Sequence, residues 1–110
     1  MIVHENKIYC RECAKRIIAI TKEDFFALYG IANGIGLNDI KHSSSISQED
    51  LDDSLSSLAE RNLVEVKGFS IFAHYAATDK GLAVLATGEQ IYRNERDVLR
   101  FLTKIEEFME

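Results

Sequence analysis

Apolar residues recur at helical spacing along most of this chain, and one stretch of strict alternation near its middle breaks the pattern. Leu51, Leu55 and Leu58 follow one another at four and three residues, which puts them on one face of a helix. Ser47 stands ahead of that helix as an N-cap whose hydroxyl can accept from the N–H of Glu49 or Asp50. Asp50 occupies the third helical position of a capping box, and Ile46 and Leu51 take the two positions of a hydrophobic staple. Leu63 follows as the chain leaves the helix at Asn62. The period then becomes two, with Val64 and Val66 on one side of a strand and Leu63, Glu65 and Lys67 on the other. Gly68 permits a reversal, and a returning strand is expected over residues 71–77.

Earlier in the chain, Thr21 with Lys22, Glu23 and Asp24 makes an N-cap followed by acidic residues in a first turn, where the helix dipole favours them. The spacing predicts a helix to about Asn33, with Phe25, Leu28, Tyr29 and Ala32 inward, Phe26 at the edge and Gly34 ending it. A short helix from Leu37 to His42 follows, with Leu37 and Ile40 inward, and Ser43 to Ser45 read as a turn. Residues 1–20 begin with a strand at Ile2 to His4 and a turn at Glu5 to Lys7. From Ile8 the pattern fits either a helix or a turn entering a strand at Ile17 to Ile20. Downstream, Thr78 caps a helix that returns Leu82, Leu85 and Ala86 to the core, with Gly88 kinking or ending it.

From Glu89 the chain is charged but periodic. Val98, Leu99, Phe101, Leu102, Ile105, Phe108 and Met109 make an apolar face wider than a surface helix of a small monomer needs. Ile91, Val98, Leu102, Ile105 and Met109 fall on a near-heptad stripe, interrupted by Glu95. The bland reading folds this helix back on its own domain. The sharper expectation is a homodimer whose interface is Ile91, Val98, Phe101, Leu102, Ile105, Phe108 and Met109, since a small domain has little surface left to cover Phe101, Phe108 and Met109.

The order of helix, strand, Gly turn, return strand and helix, with Tyr75, Ala76, Ala77, Thr78, Asp79, Lys80 and Gly81 after the second strand, resembles the winged-helix domains of MarR- and PadR-type regulators. The resemblance covers about residues 21–88. It implies a mainly α fold with a small β-hairpin (α+β): an N-terminal extension over residues 1–20, a winged helix-turn-helix over 21–88 and a C-terminal dimerisation helix over 89–110. The resemblance is specific for fold and not for partner; the leading expectation is a DNA-binding transcriptional regulator acting as a homodimer on double-stranded DNA. Lys41, Gln48, Ser56 and Ser57 would then lie near base edges or phosphates, Lys67 on the wing, and Lys7, Arg11, Lys15 and Arg16 on the DNA backbone.

Charge complicates that expectation. The 110 residues carry a net charge of −5 and are 46% hydrophobic, enough for one core and one domain. Residues 1–22 hold five basic against two acidic side chains, a net +3, whereas residues 36–63 hold two against six, a net −4. A DNA reader usually has the positive charge on its reading helix. Here the exposed N-terminal half of that helix would present Gln48, Glu49, Asp52, Asp53 and Ser56, of which only Gln48 and Ser56 are natural readers of bases. The expected wing tip offers Lys67 beside Phe69 and Phe72. The alternative expectation is therefore a winged-helix protein–protein interaction module that binds a basic protein partner through its acidic helix and apolar wing.

Cys10 and Cys13 form C-x-x-C, and with His4 they supply three ligands of a tetrahedral zinc site that His42 or a dimer mate would complete. Against zinc stand the lack of a second cysteine pair and the simpler reading of two reduced thiols; a redox pair is the third reading. His74 reads as a strand residue. Gly30, Gly34 and Gly36 make no phosphate loop, because no Lys-Ser or Lys-Thr follows. No serine has a histidine and carboxylate set around it, so enzyme activity is not expected. No apolar run approaches the length of a membrane span and the N-terminus lacks the order of a signal peptide, which places the expected location in the cytoplasm.

Overall fold

The computed structural model describes residues 1–68 and 74–109, with side chains as far as residue 107. Strands β1 (Ile2–His4) and β2 (Lys7–Tyr9) open the chain, followed by helices α1 (Arg11–Ile18), α2 (Lys22–Ala32), α3 (Leu37–Ser44) and α4 (Gln48–Glu60). Strands β3 (Val64–Lys67) and β4 (His74–Ala77) come next, and α5 (Asp79–Tyr92) and α6 (Arg96–Met109) complete it. Among the described residues this is an α+β arrangement, mostly helical, with two separate antiparallel strand pairs. Over residues 21–88 the elements follow the expected order of three helices, two strands and a helix. The expected wing tip at Phe69 to Phe72 lies outside the described residues.

The local chemistry explains most of the boundaries. Glu5 and Asn6 both take positive φ, 48° and 68°, which gives a two-residue turn matched to strand twist and pairs Ile2 with Tyr9, Val3 with Ile8 and His4 with Lys7. Lys7 is thus a strand residue rather than part of the turn. Of the two readings of Ile8 to Ile20, the helix holds for Arg11–Ile18, and Ala19 closes it in the left-handed region at φ 47°. Thr21 and Asp24 form a reciprocal capping box at the start of α2. Ser47 accepts from the Asp50 N–H at 3.1 Å and Thr78 from the Gly81 N–H at 3.0 Å, so both oxygen caps stand where the spacing predicts them. The expected turn at Ser43 to Ser45 begins later. Ser43 is buried, Ser44 is still helical, its hydroxyl donating to the Ile40 carbonyl at 2.7 Å, and Ser45 reverses the chain at φ 60°.

One core runs through the described residues. The N-terminal segment is part of it: Ile2, Ala14, Ile18 and Ile20 are buried, β1 and α1 pack on α5, and the Gln90 side chain both donates to and accepts from the Val3 backbone, at 2.8 and 2.9 Å. α5 enters this core through close backbone approaches rather than through Leu82 and Ala86, which are exposed. A Cβ on Gly81 would overlap the Leu63 carbonyl, and one on Gly88 would meet the Phe25 ring at 3.0 Å. Val84, Leu85, Thr87, Gly88, Ile91 and Tyr92 face inward instead. α2 is the central element, buried at Phe25, Phe26, Ala27, Leu28, Gly30 and Ile31, so its inward face is broader than the expected stripe.

α6 lies against α2 and α3 of the same chain. Val98, Phe101 and Ile105 are 0% exposed and Ile91 is 1% exposed without a second subunit. Phe101 meets Phe26 with ring centroids 4.6 Å apart and Tyr29 at 6.0 Å. The premise that Phe101 lacks cover within the chain is thereby corrected, because α2 and α3 cover it together with Val98 and Ile105, and Ile91, on α5, is buried in the same core. Leu102 is half-buried, Leu99 is half-exposed, and the side chains of Phe108 and Met109 lie outside the described residues. Lys22 ties the start of α6 to α2 by ion pairs to Glu95 at 2.9 Å and Asp97 at 3.1 Å.

Candidate interaction surface

α4 packs on α2 and β3 through Leu51, Leu55 and Leu58, with Ser54 also buried. That fixes what the other face shows to solvent: Gln48, Glu49, Asp50, Asp52, Asp53, Ser56, Ala59 and Glu60. Five of these eight are carboxylates and none is a cation. Among the described residues the ion pairs hold Glu5, Glu65, Glu95 and Asp97, and no carboxylate of α4. Among the described residues no cationic side chain is ion-paired to this face.

The residues expected to read DNA bases do not form one basic surface. The Gln48 amide donates to Asp52 at 2.9 Å, so one of its two donors is already directed along the helix. Ser56 is exposed, but Ser57 is half-buried in a cleft of about 290 Å³ lined also by Thr21, Glu23, Asp24, Asp50, Asp53 and Ser54. An anionic phosphate near Ser57 would face four carboxylates. Lys41 is half-buried on α3, and Lys67 is exposed with its ammonium 3.4 Å from Glu65. Glu23 and Asp24 join α4 only through the packing of α2 against it, and nothing in their sequence position pointed to the cleft.

The expected backbone-binding cations lie on other elements. Lys7 is exposed on β2, and Arg11 and Arg16 are exposed on α1, which packs on α5 and β1. Lys15 is half-buried, its ammonium 5.9 Å from the centroid of the Tyr92 ring, a cation–π distance. Arg61 is a cation that the sequence did not single out. At the C-terminal end of α4 it donates to the Ala19 carbonyl at 2.8 Å and to the Ile18 carbonyl, stitching α4 to the end of α1. Its role shows only when the two helix ends meet in space.

The zinc set expected at His4, Cys10 and Cys13 is not assembled. His4 is buried with Nδ1 2.6 Å from the Thr87 hydroxyl, whereas both cysteines are exposed at the start of α1. Among the described residues no three His, Cys, Asp or Glu side chains form a group able to hold a metal ion. Pairing in the hairpin turned the ring of His4 into the core, away from solvent. Cys10 caps α1, its sulfur accepting from the Cys13 N–H at 3.3 Å. The hydrogen bond between the two thiols, with that N–H, holds the Cys10 thiol below its ordinary pKa; the same thiol–thiol bond, and charge on Cys10, push Cys13 up. No helix among the described residues is long and apolar enough to cross a membrane. No family model, no curated protein and no solved structure matches this chain.

Proposed function

We propose that this chain is a winged-helix interaction module, with α2, α3 and α4 as its helical trio and β3–β4 as the stem of its wing, and that α4 binds a basic protein surface. The order of elements from α2 to α5 supports the fold reading. The observation that carries the functional reading is the solvent face of α4, with Glu49, Asp50, Asp52, Asp53 and Glu60 exposed and in no ion pair among the described residues. Phosphate neutralisation by cations supplies much of the affinity for duplex DNA, so such a face repels a groove and complements a Lys- or Arg-rich surface.

A second reading, a DNA-binding regulator, is favoured by the exposed Lys7, Arg11 and Arg16, which would contact a duplex backbone away from α4. Fluorescence anisotropy separates the two. The module binds an arginine-rich peptide with an affinity that falls with salt, loses that binding in Glu49→Lys with Asp52→Lys and Asp53→Lys, and keeps it in Glu106→Lys with Glu107→Lys. Binding of a random duplex at low salt that is abolished by Arg11→Glu with Arg16→Glu would overturn it in favour of the regulator.

A further inference from the structure

The α4 reading leaves unexplained the two thiols at the start of α1. Thr21, Ser47 and Thr78 cap their helices with oxygen, a good acceptor; Cys10 caps α1 with sulfur, a poor one. A packing role does not account for either cysteine, because both are exposed. Metal binding does not account for them either, since two thiols fill half of a tetrahedral site and no third protein ligand joins them among the described residues.

Their geometry fits exchange chemistry. Residues three apart at a helix start have Cα atoms about 5–6 Å apart, within the span of about 4.4–6.8 Å that a disulfide bridges. Cys10 stands at the N-terminal end of α1, where backbone N–H groups stabilise a thiolate, and already accepts one of them, from Cys13. Solvent reaches both sulfurs. We propose that Cys10 and Cys13 form a thiol–disulfide exchange centre for small disulfides, with Cys10 attacking and Cys13 resolving.

In the first step the Cys10 thiolate attacks one sulfur of a disulfide RSSR, forming a mixed Cys10–SR disulfide and expelling RS⁻. In the second, Cys13 gives its proton to water and attacks Cys10 Sγ, forming the Cys10–Cys13 disulfide and expelling the other RS⁻. The protein dithiol loses two electrons and two protons, and RSSR becomes two thiols. The lowered pKa of Cys10 and the raised one of Cys13 agree with that division of labour.

The test uses the full chain in buffers of reduced and oxidised glutathione at pH 7, quenched with acid and read by mass spectrometry. The expected product is a chain two hydrogens lighter that reverts in excess reduced glutathione. Cys13→Ser should accumulate a glutathione adduct on Cys10, and Cys10→Ser should form one at least about tenfold more slowly. Thermal melts by circular dichroism check that both variants remain folded. Equal adduct rates in the two variants, a stable adduct on the unmutated chain without release of the second glutathione, or zinc that co-purifies and shields both thiols would each overturn the proposal.

Discussion

Replacing Phe101 by Ala removes a ring that is fully buried where α6 crosses α2, in contact with Phe26 and Tyr29. Burial of the ring is worth about 1.5–3 kcal/mol, and each of the two aromatic contacts about 0.5–1.5 kcal/mol more. The expected loss is therefore about 3–5 kcal/mol, the range found for Phe→Ala in cores. That is a large part of the roughly 5–15 kcal/mol that holds a domain of this size together. Because one chain supplies every contact just named, the loss should be the same at any protein concentration. Urea unfolding at two concentrations tenfold apart measures both quantities. Should Phe101→Ala not yield folded protein, Ile105→Val, expected to cost about 0.5–1.5 kcal/mol, carries the same test. A loss for Phe101→Ala below about 1 kcal/mol, or a loss that changes with protein concentration, would refute intramolecular seating of α6.

Gly81→Ala is expected to destabilise by about 1–3 kcal/mol, because the added methyl meets the Leu63 backbone, which is itself held by its carbonyl accepting from the Thr78 N–H at 3.0 Å; urea unfolding checks it, and a neutral result would refute the close approach. For Asp97, burial acts to raise the carboxyl, but hydrogen bonds from Lys22 and the Val98 N–H, with the Lys22 charge, outweigh it and leave its pKa lowered. Asp97 therefore contributes stability above its unfolded pKa of about 3.9 and loses it as pH falls through the lower folded value. The melting temperature of the unmutated chain should exceed that of Asp97→Asn at pH 7, by the equivalent of less than about 1 kcal/mol at this exposed pair, and the gap should close in acid; a gap that widens below pH 4 would contradict it.

Which parts of this fold could be read from the chain depends on the range of the forces that set them. The caps at Thr21, Ser47 and Thr78 are local, each a side chain and a backbone N–H three residues on, and they stand where the spacing puts them. α1 has eight residues and apolar positions that suit two periods, so its packing against α5 and β1 is needed to select the helix. Hydrophobicity alone points Leu82 and Ala86 of α5 inward, whereas both are exposed, because it does not register a backbone approach. Gly81 and Gly88 sit at the contacts and turn Val84, Thr87 and Ile91 inward. The wide apolar face of α6 suits either a second subunit or its own domain, and the packing of α2 and α3 over Val98, Phe101 and Ile105 shows only once the chain is folded. For the candidate surface, the acidity of α4 was legible, whereas the cleft with Glu23 and Asp24, and the seam at Arg61, exist only after helices distant in sequence meet.

That seam bears on how the surface would work. The first 22 residues carry a net +3 and residues 36–63 a net −4, so the chain separates its charge. Flexibly joined, the two parts would screen one another. Arg61 instead fixes the end of α4 to the end of α1 with its own charge spent on the Ile18 and Ala19 carbonyls, while the exposed carboxylates from Glu49 to Asp53 lie toward the opposite end of α4. Over a screening length of about 8 Å at physiological salt, an approaching surface feels chiefly the nearest of these groups. On the proposed reading a basic partner would thus meet the N-terminal half of α4 with no ion pair among the described residues to displace, and complementarity of this kind acts on the rate of encounter as well as on which partner is chosen.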